Sequence, residues 1–80
     1  MNEANFFEVD FEDGKIRVQR HSISSQVIYR VIFSDGRAPL VVTRALRDSL
    51  EKFWTSIPEG RQLEAEQVGP LIQKHYNSLS

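Results

Sequence analysis

Apolar and polar residues alternate along the start of the chain. Over residues 6–12, Phe7, Val9 and Phe11 fall on one side and Glu8, Asp10 and Glu12 on the other. A period of two marks a strand with one buried and one solvated face. Asp13-Gly14 follows, a pair favoured in two-residue hairpin turns because it tolerates the left-handed backbone they need. Residues 15–20 alternate again, with Ile16 and Val18 set against Lys15, Arg17 and Gln19. A turn centred on 13–14 predicts the cross-strand neighbours: Glu12 with Lys15, Phe11 with Ile16, Asp10 with Arg17, Val9 with Val18, and Glu8 with Gln19. The apolar pairs then share one face and two opposite-charge pairs the other, each pair contributing roughly 0.2–1 kcal/mol.

Residues 21–26 (HSISSQ) read as a polar connection to a second β-rich run at 27–33. Asp35-Gly36 repeats the hairpin signal, and residues 39–43 supply the partner strand. Counting outward from that turn sets Ser34 against Arg37, Phe33 against Ala38, Ile32 against Pro39, Val31 against Leu40, Arg30 against Val41, and Tyr29 against Val42. One face then holds Tyr29, Val31, Phe33, Leu40 and Val42. The other holds Ile28, Ile32 and Val41 around Arg30. Both are apolar enough to need cover, and one helix can cover only one of them. Ile28, Arg30, Ile32 and Val41 are therefore candidate interface residues for a second protomer or another protein. Pro39 cannot donate to a ladder and belongs at a strand start or an edge.

Residues 44–57 fit two patterns. Leu46, Leu50 and Phe53 or Trp54 have helical spacing, with Thr43 as a cap. Against a helix, Arg44 and Arg47 would oppose the dipole at its N-terminus, and residues 52–57 are rich in strand formers. The balance favours a turn near 47–49 and a fifth strand at about 51–56. Ser56-Ile57-Pro58-Glu59 then has the form of a capping box with proline in the first turn. It predicts a helix over about 58–78, with Val68, Leu71, Ile72, His75, Tyr76 and Leu79 as its apolar stripe. Pro70 removes the bond to the Glu66 carbonyl and predicts a kink or restart. The expected fold is α+β: an antiparallel four- to five-stranded meander with two Asp-Gly hairpins, packed by one C-terminal helix, in a single small domain spanning 1–80.

Eighty residues leave no room for a second domain, and a chain of this size buries only about 60% of its unfolded surface. The absence of cysteine excludes disulfides and thiolate metal sites. No apolar run approaches the roughly 20 residues of a membrane helix. The acidic start, MNEANFFEVD, lacks the basic segment and apolar core of a signal peptide. A cytoplasmic protein with no membrane partner is expected. The charges are segregated: five acids and no base in residues 1–14, then seven bases against one acid in 15–47. Such a basic segment invites a nucleic-acid reading. After strand pairing, the bases left over are Arg20, Arg30, Arg37, Arg44 and Arg47, with Tyr29 and Phe33 as stacking candidates. The pI of about 6.1 makes nucleic acid the lesser partner class.

Little in the chain can converge for catalysis. There are two histidines, His21 and His75, no carboxylates at metal-ligand spacing, no nucleophile elbow and no glycine-rich phosphate loop. A non-enzyme without catalytic residues, metal or cofactor is expected. The densest local constellation is Trp54, Ser56, Glu59, Gly60 and Arg61. It reads either as a small anion or ligand site at a helix start or as a core tryptophan under a capped helix. The packing reading is the plainer of the two.

The segment FWTSIPEGRQLEAEQVGPLIQKHY, following VIFSDGRAPLVVTRA, resembles short conserved hypothetical proteins of bacteria over roughly residues 29–76. That family carries no assigned activity, so the resemblance transfers no site. It implies a bacterial cytoplasmic setting and a strand at 51–56. The leading functional expectation is a non-enzymatic interaction module that pairs with itself or another protein. The alternatives are weak nucleic-acid binding by the central arginines and a small anion or ligand pocket at Trp54 and Arg61.

Overall fold

A computed structural model describes residues 6–46 and 51–79. Five strands form one antiparallel sheet in which each pairs with the next: β1 (Phe6–Phe11), β2 (Gly14–Ile23), β3 (Gln26–Phe33), β4 (Leu40–Leu46) and β5 (Lys52–Ser56). One helix, α1 (Gln62–Asn77), packs on a single face of the sheet. The architecture is the expected α+β meander with one helix, and the strand reading of 51–56 holds. Thr43 lies within β4, not at a helix cap. The turn expected at 47–49 falls outside the described residues.

The core sits between the sheet and α1. Ile16, Val18, Val31, Phe33, Leu40, Val42 and Trp54 point from the strands to Ala65, Val68 and Ile72 of the helix, and all are buried. Period two in the strands and spacing of three to four in the helix bring these residues to one layer. Leu71, His75 and Tyr76 are half-buried at its margin. Leu79 lies beyond the helix end and is exposed, so the apolar stripe stops one turn earlier than its spacing predicts.

The first hairpin has the predicted faces but a different register. Asp10 lies opposite Lys15, Val9 opposite Ile16, Glu8 opposite Arg17 and Phe7 opposite Val18. The turn is at Glu12-Asp13, with Glu12 at φ 54°, rather than at 13–14. Asp10 therefore does not pair with Arg17. The pairing has slipped by two residues, which leaves every side chain on its original face. The cause lies just past the end of β3, at Ser34. Lys15 donates its backbone N–H to Ser34 Oγ (3.0 Å), and Ser34 N–H donates to the Lys15 carbonyl (3.1 Å). A Cβ on residue 14 would overlap Ser34 Oγ. Gly14 is thus used inside the ladder for close approach and is unavailable to the turn.

Residues 21–26 are a further hairpin, not a loose connection. β2 continues to Ile23, which pairs with Gln26 across a Ser24-Ser25 turn. The signal is faint because Ser22 and Ile23 stand at an exposed sheet end, where no buried residue marks the alternation. The next hairpin keeps its predicted inner pairs: Val31 with Leu40, Arg30 with Val41, and Tyr29 with Val42. The outer pairs predicted for Ile32, Phe33 and Ser34 do not form. Pro39 has no N–H to extend the ladder, and the Asp35 carboxylate instead accepts from the Arg37 backbone N–H and guanidinium.

The capping box is also corrected. Ser56 ends β5, a cis Ile57-Pro58 peptide follows, and the helix begins at Gln62 with Arg61 as its N-cap residue. Ser56 Oγ accepts from the Arg61 backbone N–H (3.1 Å) and donates to the Pro58 carbonyl (3.0 Å), while Glu59 stays exposed. The continued β4 ladder explains the later start: Ile57 N–H donates to the Val41 carbonyl (2.8 Å), holding the chain extended. α1 runs unbroken past Pro70. The proline lies on the solvent side of the helix, as does Glu66, whose carbonyl it leaves without a helical donor.

Candidate functional site

α1 covers one face of the sheet, and side chains alternate, so the residues between the core positions form a second, open face. Ile28, Arg30, Ile32 and Val41 all lie on it. Ile32 stands opposite Arg17, Ile28 opposite His21, and Arg30 between Gln19 and Val41. Phe53, opposite Ala45, continues the apolar ground onto β5. Ile32 and Phe6 are each 38% exposed and Ile57 is 40% exposed. Thr43 is buried on this side, its hydroxyl donating to the Val27 carbonyl (2.8 Å).

The open face is divided. Its β1 and β2 half is charged: Asp10 and Lys15 form an ion pair (2.9 Å), and Arg17 lies over the Phe6 ring (4.2 Å). The Lys15 ammonium, hydrogen-bonded to Asp10, holds that carboxyl below the usual range. The β3 to β5 half is apolar around Arg30. Neither Arg30 nor Glu8 has an ion-pair partner among the described residues.

The Trp54 constellation is only partly assembled, and what is assembled holds the helix start. Trp54 is 8% exposed, and a Cβ on Gly69 would overlap its ring. Ser56 Oγ takes the Arg61 N–H, the amide an anion would need. The Arg61 guanidinium binds both Glu64 oxygens (2.6 and 3.0 Å) and the carbonyls of Ala38 (3.0 Å) and Pro39 (2.7 Å). Arg37 joins the same network through Glu12 (3.0 Å), Asp35 and Glu64 (3.3 Å). Two connections of the sheet and the first helical turn are thereby tied together. The Arg61 hydrogen bonds, with those of Arg37, hold the Glu64 carboxyl below its ordinary range against the opposing effect of burial. Glu59 and Gly60 lie in the exposed bend before the helix, Gly60 at φ 126°.

The histidines lie on opposite faces of the sheet. His75 stacks flat on Phe7 (centroids 3.7 Å apart, 5° between planes), while His21 faces Ile28 on the open side. Among the described residues no three His, Cys, Asp or Glu side chains gather as a metal site, and no helix is long and apolar enough to cross a membrane.

Sequence reading missed three features. Gln62 guards the outer edge of β5: its Nε2 donates to the Trp54 carbonyl (2.7 Å). In the alternating antiparallel pattern set by the bond from Ile57 to Val41, that carbonyl points away from β4. The Arg37 to Glu64 link, and a cleft beside Tyr29, depend on contacts between distant segments. Only the helix-side placement of Arg20, Tyr29 and Arg44 could have been found from strand parity. Comparison of the chain with protein-family models, curated proteins and solved structures found no match.

Proposed function

We propose that this protein is a non-enzymatic interaction module that self-associates through the open face of its sheet. The supporting observation is the half-exposed apolar ground of Ile28, Ile32, Val41 and Phe53, set around a guanidinium with no ionic partner among the described residues. A face of this kind gains by covering its apolar area and by finding an anion for Arg30. A second copy offers both. In a two-fold contact every pairing between two residues of the two copies occurs twice, once in each direction, so Arg30 of each chain can meet Glu8 of the other, with the isoleucines enclosed between them. Gln62 supports a face-on contact rather than strand addition at β5, because it occupies the outward carbonyl of Trp54.

Sedimentation equilibrium with charge reversal tests this. The unaltered chain is expected to have the mass of a dimer at high micromolar concentration, and Ile32→Glu the mass of a monomer with its fold intact. Arg30→Glu should weaken association and Glu8→Arg in the same chain should restore it. A monomeric unaltered chain at millimolar concentration, or association indifferent to Ile32→Glu, overturns the reading.

A further inference from the structure

On the other side of the sheet, where the β2–β3 hairpin emerges beneath the second half of α1, lies a cleft of about 290 Å³. Its size is just below that of drug-sized small-molecule sites, which run from roughly 300 to 1,000 Å³. Three aromatic rings wall it: Tyr29, Trp54 and Tyr76. Tyr29 meets Trp54 edge-on (centroids 5.7 Å apart) and Tyr76 at a tilt (6.1 Å). The rim is polar. The Arg44 guanidinium lies over the Trp54 ring (5.4 Å) and donates to the Gln73 side chain. Its remaining N–H groups have no acceptor among the described residues. Arg20 stands opposite Tyr29 in register and so on the same face, and it too has no ion-pair partner there. Packing alone does not call for a guanidinium with unused N–H groups at the edge of an aromatic hollow.

We propose that this cleft binds a small planar aromatic carboxylate, its ring laid against the wall of Tyr29, Trp54 and Tyr76 and its acid group on Arg44. Arginine supplies a planar fork matched to a carboxylate, and the half-buried Tyr29 and Tyr76 rings on the cleft wall supply apolar contact for an aromatic ring. The assignment is independent of the self-association reading, since Tyr29, Arg44, Trp54 and Tyr76 lie on the helix side of the sheet and Ile28, Arg30, Ile32 and Val41 on the other.

Benzoate is the probe, followed by NMR on the full chain at low ionic strength. Saturable shifts are expected at the Trp54 indole N–H and the Tyr29 and Tyr76 rings. Benzyl alcohol, which lacks the charge, and acetate, which lacks the ring, should each bind more weakly. Arg44→Gln removes one charge from an exposed position, loses only the guanidinium contact on the outer side of Trp54, and should weaken benzoate at least about fivefold. Tyr76→Phe keeps the wall and should bind within about twofold. No saturable shift up to about 20 mM benzoate, a ceiling for even weak sites, overturns the proposal. So does equal binding of benzyl alcohol, or unchanged affinity in Arg44→Gln.

Discussion

Gly69 and Gly14 both allow close approach, but what they approach differs. A Cβ at 69 meets the Trp54 ring, which is wedged between α1, Tyr29 and Arg44; a Cβ at 14 meets only the hydroxyl end of Ser34. Gly69→Ala should therefore destabilise the protein by about 1–3 kcal/mol through overpacking, even though alanine is the better helix former by about 1 kcal/mol. Gly14→Ala should cost less, because Ser34 can rotate away at the loss of one exposed hydrogen bond from the Lys15 N–H. Urea unfolding of the two variants checks the order, and a Gly69→Ala protein as stable as the parent would disprove the wedge. Glu64 makes a pH prediction. The Arg61 and Arg37 hydrogen bonds lower its carboxyl in the folded chain, so the unfolded chain takes up the proton first. Its contribution is complete above the ordinary glutamate value of about 4.3 and is lost as pH falls through the lower folded value. Glu64→Gln should flatten the fall in melting temperature across that window and leave the remaining slope to other carboxyls, such as Asp10 and Asp35.

At the scale of elements, α1 holds the sheet through few contacts of unequal weight. Ile72 is fully buried among strand residues, whereas Leu71 sits half-buried at the margin near Val9. Ile72→Ala should cost about 2–5 kcal/mol, and Leu71→Ala about 1–2 kcal/mol, in line with a side chain that keeps part of its surface in water. Equal losses in thermal or urea unfolding would mean that the helix is rotated about its axis from the position described. The strands rely on each other in sequence order. Each hairpin closes locally, and α1 with the Arg37, Glu64 and Arg61 network returns the chain end to the two connections near its beginning.

The whole molecule is a sheet with two unlike sides, one sealed by the helix and one facing water with apolar residues among its charges. Folding and association are then linked, because a partner that binds only the folded chain stabilises it in proportion to its concentration. Under the self-association proposal the melting temperature should rise with protein concentration, by a few degrees over about a hundredfold range for a chain of this size. In Ile32→Glu the rise should disappear. Differential scanning calorimetry at several concentrations measures both, and a melting temperature independent of concentration in the unaltered chain contradicts the proposal.

Strand parity was legible in the residues themselves. Alternation placed Phe7, Val9, Ile16, Val18, Val31 and Val42 on one side and Ile28, Arg30, Ile32 and Val41 on the other, because neighbouring side chains must point to opposite faces. That is why the five-stranded sheet, its core and its open face could be anticipated. Parity survives a slip of two, so it could not choose between Asp10 facing Arg17 and Asp10 facing Lys15; Ser34 made that choice from another hairpin by occupying the space over Gly14. The same holds at Ser56, whose local pattern asks for a cap while the β4 ladder keeps the chain extended. What nearest neighbours and periodicity dictate was determined by the sequence. What required two distant segments to compete for one space or one hydrogen bond was decided only by the tertiary structure.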